Sequence, residues 1–241
     1  MTDLVAELAR LAGHDPTDPE RIDPSDSYTS GGHPFYRVSV PDRRRLAKAW
    51  VSAHKDWTAE QTLAIVNSLI FGRSFEEKTL GCMLLQYRPD ARRLVATETV
   101  ERWLDVLVGW AEVDSLCQSV FSAEDLLVDW DAWRALIVRL ATSTNPNQRR
   151  ASMVLLTGPV KQSSDPRPME LAFVVLDTLK RERIVLISKA VSWLLRALVE
   201  HHADVVGSYV DSNEGVLPAI ATRETRVKLR TGTKSGTPSR R

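Results

Sequence analysis

The sequence predicts an all-α fold, and three observations carry that prediction. No stretch of useful length alternates apolar and polar residues with the period of two that a half-buried strand requires. Segment after segment instead repeats apolar residues at i, i+3, i+4 and i+7, each segment about 10–16 residues long. The segments are punctuated by helix-start and helix-stop chemistry: capping boxes, prolines in first turns, and short Gly, Pro or Asn connectors. Val174-Val175-Leu176 and Ile184-Val185-Leu186-Ile187 are β-branched runs, but each continues into a helical pattern.

Taken in order, Met1 to Arg10 reads as a short acidic amphipathic helix. Asp15-Pro16, Asp18-Pro19, Asp23-Pro24 and Gly31-Gly32 then give loop chemistry up to residue 34. Val40-Pro41-Asp42 opens the next helix, because proline suits a first turn and an acid complements the N-terminal dipole. Thr58-Ala59-Glu60-Gln61 and Ser74-Phe75-Glu76-Glu77 are capping boxes, and Gly72 ends the helix between them. Helices are expected near 90–107, 109–118 and 129–142, then at 147–157, stopping at Gly158-Pro159. Segments at 167–179, 183–200, 202–212 and 216–229 complete the series. Paired helices with short connectors predict an α-solenoid of HEAT type, a curved superhelix of antiparallel pairs whose concave face binds. The expected layout is a single repeat domain over residues 1–230, of which 1–34 is the N-terminal helix and loop. A basic, flexible tail at 231–241 follows it.

The 241 residues are ample for a real core, and no apolar run approaches the ~20 residues of a membrane span. The first residues lack the apolar region of a signal peptide. Two cysteines, Cys82 and Cys117, make neither a disulfide framework nor a metal set. The expected setting is a reducing cytoplasm. Net charge is +1, but residues 1–30 carry seven acids against two bases, and residues 223–241 carry seven bases against Glu224 alone. A basic end of that kind is either simply solvated or within reach of a phosphate backbone.

Three patterns carry candidate chemistry. In Gly109-Trp110-Ala111-Glu112-Val113-Asp114, Trp110 and Asp114 stand at i and i+4, so a helix stacks them on one face while Glu112 points elsewhere. A π-face beside a carboxylate favours a cationic or cation-developing ligand. Asn147-Gln148-Arg149-Arg150 opens a helix with two arginines, which oppose the helix dipole unless an anion or acid lies nearby. Their guanidinium forks suit phosphate. Lys189, Trp193 and Arg196 follow at i, i+4 and i+7 along one side of a further helix, whose Leu194, Leu195 and Leu198 supply the buried side. Each pattern also has an ordinary reading: core tryptophans, solvated arginines, a wedge between helices.

Together and in this order, Trp110 with Asp114, Arg150, and the Lys-Ala-x-x-Trp-x-x-Arg string ending at Arg196 resemble the AlkD-type DNA alkylation repair family. Phe35-Tyr36-Arg37-Val38-Ser39-Val40-Pro41-Asp42-Arg43 is also similar to that family's first repeat, so the resemblance spans about Tyr28 to Arg230. It implies a HEAT-like superhelix with a basic cleft, acting as a monomer on double-stranded DNA that contains alkylated bases. Such a protein associates with the nucleoid when bound. The implied activity is that of a DNA glycosylase excising cationic alkylpurines such as 3-methyladenine and 7-methylguanine. Asp114 would act at the deoxyribose carbon whose bond breaks, with Trp110 and Trp193 packed against the sugar and backbone of the lesion nucleotide. Arg149, Arg150, Arg196, Lys189 and Arg43 would contact DNA, and Tyr28 would lie beside the lesion. Where active relatives carry a second aromatic before the motif tryptophan, this chain has Gly109.

No metal or cofactor is expected. His14, His33, His54, His201 and His202 have no ligand spacing with either cysteine, and His201-His202 reads as a helix-end pair. Trp133 reads as core, and no Gly-rich phosphate loop follows a strand. The rival class is a non-catalytic α-solenoid binding DNA structures or a protein partner in its groove.

Overall fold

A computed structural model describes residues 2–12 and 32–234. Every regular element among them is a helix, and no strand occurs among the described residues. The chain divides into two compact units, Met1–Phe121 and Ser122–Arg241.

The first unit contains α1 (Thr2–Ala12), α2 (Val40–Ala53), α3 (Ala59–Ile70) and α4 (Phe75–Tyr87). After them come the short α5 (Pro89–Arg93), α6 (Thr97–Val106) and α7 (Gly109–Cys117). Both predicted capping boxes are present. Thr58 accepts from the Gln61 amide while Gln61 reaches back to Thr58, and Ser74 and Glu77 do the same at the head of α4. Each satisfies two amides that a helix start leaves without intrahelical partners. A side chain at Gly72 would bring a Cβ within 2.8 Å of the Leu69 carbonyl and 2.9 Å of Glu77 Cβ, so the α3–α4 turn closes only around glycine. α4 is the centre of this unit. It packs against α1, α2, α3 and α7, and its face of Leu80, Leu84 and Leu85 is fully buried. A helix so surrounded needs no amphipathic stripe, which is why charged residues such as Glu76 and Lys78 are buried on it as well.

The second unit contains α8 (Ala123–Val128), α9 (Trp130–Ala141), α10 (Pro146–Thr157), α11 (Pro159–Gln162), α12 (Pro166–Leu179), α13 (Val185–Ser212) and α14 (Ala219–Thr231). Here α10 is central, packed against α9, α11, α12 and α13, with every residue from 150 to 157 buried. Leu171, Val175 and Leu176 of α12 join that core, as do Val191, Leu194 and Leu195 of α13. Trp133 is core, as its sequence context predicts. In both units helices pack on near neighbours in sequence, the pattern that gives a solenoid-like all-α fold.

The boundaries differ from expectation in a few places. The segment near 90–107 is two helices broken at Val95-Ala96. α8 has no counterpart in the sequence reading. Its capping box uses Ser122 with Asp125, where the expected pattern calls for Glu or Gln. The segments at 183–200 and 202–212 run into one another as α13, whose only break is His202 at φ −134°, ψ 38°. The His201-His202 helix end is therefore a kink, and a kink arises where a residue leaves helical backbone geometry. The 13–31 loop and the last residues of the basic tail lie outside the described residues, and so does Tyr28.

Candidate functional site

α7 is short and starts without a capping side chain, since Val108 occupies the N-cap. Its first residue, Gly109, sits at φ +78°. L-residues reach that left-handed region at a cost, and glycine does not. The backbone therefore accounts for a glycine at the position where active relatives of the resembled family carry an aromatic. From this turn the helix presents Trp110 and Asp114, both half-buried, on the one face that i, i+4 spacing defines.

Glu112 lies between them and is only 1% exposed. Its carboxylate accepts the Val108 amide at 2.8 Å, so it caps its own helix from one position later than a capping box would. The same carboxylate meets His33 Nδ1 at 2.8 and 3.1 Å. The prediction that Glu112 points away from Trp110 and Asp114 therefore holds. That it is anchored to a histidine 79 residues away had no local signal, because neither residue belongs to any motif.

His33 lies in a strap, residues 32–39, that crosses the head of α4. The Phe75 amide donates to the Pro34 carbonyl at 3.0 Å, and the Phe35 and Phe75 rings lie 4.6 Å apart. The Tyr36 amide donates to Glu76 at 2.8 Å, with Tyr36 and Val38 buried. Burial pushes the Glu76 carboxyl up. The Tyr36 amide and the Arg43 charge oppose that shift.

Arg43, expected from the resemblance to contact DNA, completes this cluster. It is 4% exposed, donates to Thr79 and lies 4.9 Å over the Phe75 ring. Burial lowers its pKa and the Glu76 charge raises it. The guanidinium is thus held inward, against Thr79 and the Phe75 ring.

In the second unit Arg149 and Arg150 open α10 as predicted, and both are engaged by the chain itself. Arg149 pairs with Glu182 at 2.7 Å and donates to the Ser143 and Thr144 carbonyls at 2.7 and 2.9 Å. This supplies the acidic partner that an arginine in a first turn demands. Arg150 is 5% exposed and donates to the Leu186 carbonyl at 2.8 Å, in the first turn of α13. It ties α10 to α13 and leaves little surface for a phosphate clamp.

Along α13 the predicted i, i+4, i+7 side is present. Lys189 is exposed, Trp193 and Arg196 are half-buried, and Leu194, Leu195 and Leu198 fill the core. Trp193 is thus not a core tryptophan. Arg196 lies 3.3 Å from Glu224 of α14, and Ser192 donates to the same carboxylate at 2.6 Å. Burial lowers the Arg196 pKa, and Glu224 opposes that shift. The first unit therefore holds Trp110 with Asp114, and the second holds Arg149 on α10 and Lys189, Trp193 and Arg196 on α13. Among the described residues no cluster of three or more His, Cys, Asp or Glu has metal-site geometry. No described helix is long and apolar enough to cross a membrane.

The class defined by these features is an all-helical protein with an aromatic–carboxylate pair on one short helix and a Lys–Trp–Arg side on a long one. A family model described as DNA alkylation repair enzyme matches residues 9–229. The chain belongs to that family. A solved structure titled as a predicted DNA alkylation repair enzyme from Enterococcus faecalis is similar in fold. Its TM-score is 0.67 at 17% identity, with 86% of this chain and 94% of that chain covered. No curated protein matches the chain.

Proposed function

We propose that this protein is a DNA glycosylase that binds alkylated duplex DNA and hydrolyses the N-glycosidic bond of cationic alkylpurines of the 7-methylguanine and 3-methyladenine class. Membership of a DNA alkylation repair family supports a DNA substrate. The single observation that carries the chemistry is the sorting of two acids on α7. Glu112 is buried and capped into the structure, while Asp114 stays at the surface on the face that carries Trp110.

An alkylated purine already carries positive charge and leaves without strong acid help. The barrier that remains lies in the sugar, which becomes oxocarbenium-like as the bond breaks. A carboxylate beside that sugar stabilises the charge and orients a water, and a tryptophan face lowers the local dielectric and favours the cation. Asp114 takes the first role and Trp110 the second. In the second unit, Lys189, Trp193 and Arg196 of α13, with Arg149 of α10, are the groups proposed to meet the DNA backbone. The two arginines exchange their carboxylate partners for phosphate as they do so.

Single-turnover excision of 7-methylguanine from a duplex tests this reading. Asp114→Asn keeps shape and removes charge, so affinity for the duplex should hold while the excision rate falls by about 10–1000-fold. Excision at the wild-type rate by that variant would remove Asp114 from the chemistry. One observation favours a second reading, binding of DNA structure without catalysis: Arg149 and Arg196 are already neutralised by Glu182 and Glu224. Wild-type protein that binds duplex and releases no base from either lesion would select it.

A further inference from the structure

We infer that Glu112 is the positioning residue of the α7 site, and that His33 is its partner in a latch fixing the first turn of the helix that carries Trp110 and Asp114. The inference rests on the proposed excision activity for its kinetic consequence, but its structural content stands separately.

Three observations meet at one carboxylate. α7 has no side chain at its N-cap, and Glu112 supplies the missing acceptor by taking the Val108 amide at 2.8 Å. The residue after Val108 is Gly109 in the left-handed region, so this turn has more backbone freedom than a standard helix start. The other half of the carboxylate is taken by His33, from a strap already pinned to α4 at Pro34, Tyr36 and the Phe35 ring. A flexible helix start two residues from the reacting face is thereby tied to the best-packed helix of the unit.

Among the described residues, the charged and titratable groups that act on Glu112 or meet it come from the strap and α4. They are His33 from the strap, and Lys78 and Cys82 from α4. Lys78 is buried and donates to the Ile70 carbonyl at 2.9 Å. With the Glu112 carboxylate as acceptor at 2.8 Å, His33 is the donor through Nδ1. A histidine held in that way must carry its proton on Nδ1, which gives the latch a spectroscopic signature independent of any activity.

The function at stake is geometry. A misplacement of about 1 Å of a catalytic group is worth on the order of 100-fold in rate, even when binding is unaffected. Loss of the latch should therefore show in the excision step and not in affinity.

The experiment compares wild type with Glu112→Ala, Glu112→Gln and His33→Ala. It reads duplex affinity, single-turnover excision of 7-methylguanine, and the ¹⁵N spectra of the His33 ring and the Trp110 indole. Wild type should show His33 protonated on Nδ1. Glu112→Ala should lose that signature, shift the Trp110 indole, and excise about 10–100-fold more slowly with affinity within about threefold of wild type. Glu112→Gln keeps an acceptor for the Val108 amide and should recover most of the rate. His33→Ala should fall between the two. The inference is overturned if wild-type His33 is bare at Nδ1, or if folded Glu112→Ala excises at the wild-type rate. It is also overturned if Glu112→Gln and Glu112→Ala lose affinity and rate alike, as a purely structural residue would. Should Glu112→Ala not fold, the Gln and His33 variants decide on the same readouts. Should wild type release no base, the excision reading falls, and the latch stands or falls on the His33 and Trp110 spectra.

Discussion

Replacing Gly109 with Ala tests the backbone on which the candidate site is built. The native φ of +78° places this residue in the left-handed region, where a Cβ crowds the following carbonyl at a cost of about 1–2 kcal/mol. Alanine also stiffens the unfolded chain, and that gives back about 0.4–1 kcal/mol only where the native angles suit it. The net expectation is destabilisation of the first unit by ~1 kcal/mol, a factor of about five in the local opening equilibrium. Two compact units make a single global midpoint a poor gauge, so native-state hydrogen exchange at the buried α7 residues Val113 and Leu116 is the better assay. Gly207→Ala is the matched control. Gly207 lies inside α13 with nothing within 4 Å of an added Cβ, so the same substitution there should stabilise α13 by about 0.5–1 kcal/mol. Opposite signs at the two glycines are the prediction. Unchanged protection at Val113 and Leu116 in Gly109→Ala would refute the need for glycine at this turn, and with it the backbone account of why no aromatic stands at 109.

Two further outcomes follow from titratable groups. Burial, then the Glu112 charge, pushes the Cys82 thiol up to about 12 from an ordinary 9.0, leaving on the order of a thousandfold less thiolate near neutrality. Iodoacetamide at pH 8, read by peptide mapping, should therefore spare Cys82 in the folded protein and label it in urea, and rapid labelling of the folded chain would contradict its burial. His202 Nε2 is buried at the α13 kink without a hydrogen-bond partner, and burial, then His201, lowers its pKa below the ordinary 6.5. The unfolded chain then takes up a proton that the folded one resists. Stability contributed at this residue should be level above pH 6.5 and fall as pH drops through it. Native-state hydrogen exchange at the buried α13 residues Val206 and Val210, compared between wild type and His202→Gln at pH 8 and pH 5.5, should show that loss in wild type alone.

What the sequence alone determined is the local layer. Capping boxes at Thr58 and Ser74, a proline in the first turn at Pro41 and apolar spacing are properties of a few consecutive residues, and the two boxes and that proline each open a helix where they were read. Helical spacing likewise placed Trp110 with Asp114 on one face, and Lys189, Trp193 and Arg196 along another. Which of those charges reach solvent was settled only by tertiary packing. Arg43 and Arg150 look like any surface arginine in one dimension, and become buried where Thr79, the Phe75 ring and the Leu186 carbonyl arrive from distant segments to meet them. Arg149 and Arg196 meet Glu182 and Glu224 for the same reason. The His33–Glu112 contact joins residues 79 apart that share no motif, and Gly109 shows its left-handed turn only once α7 is built. Periodicity reports which side of a helix is apolar. The cost of burying a charge without a partner decides the rest, and that cost depends on neighbours that only the folded chain supplies.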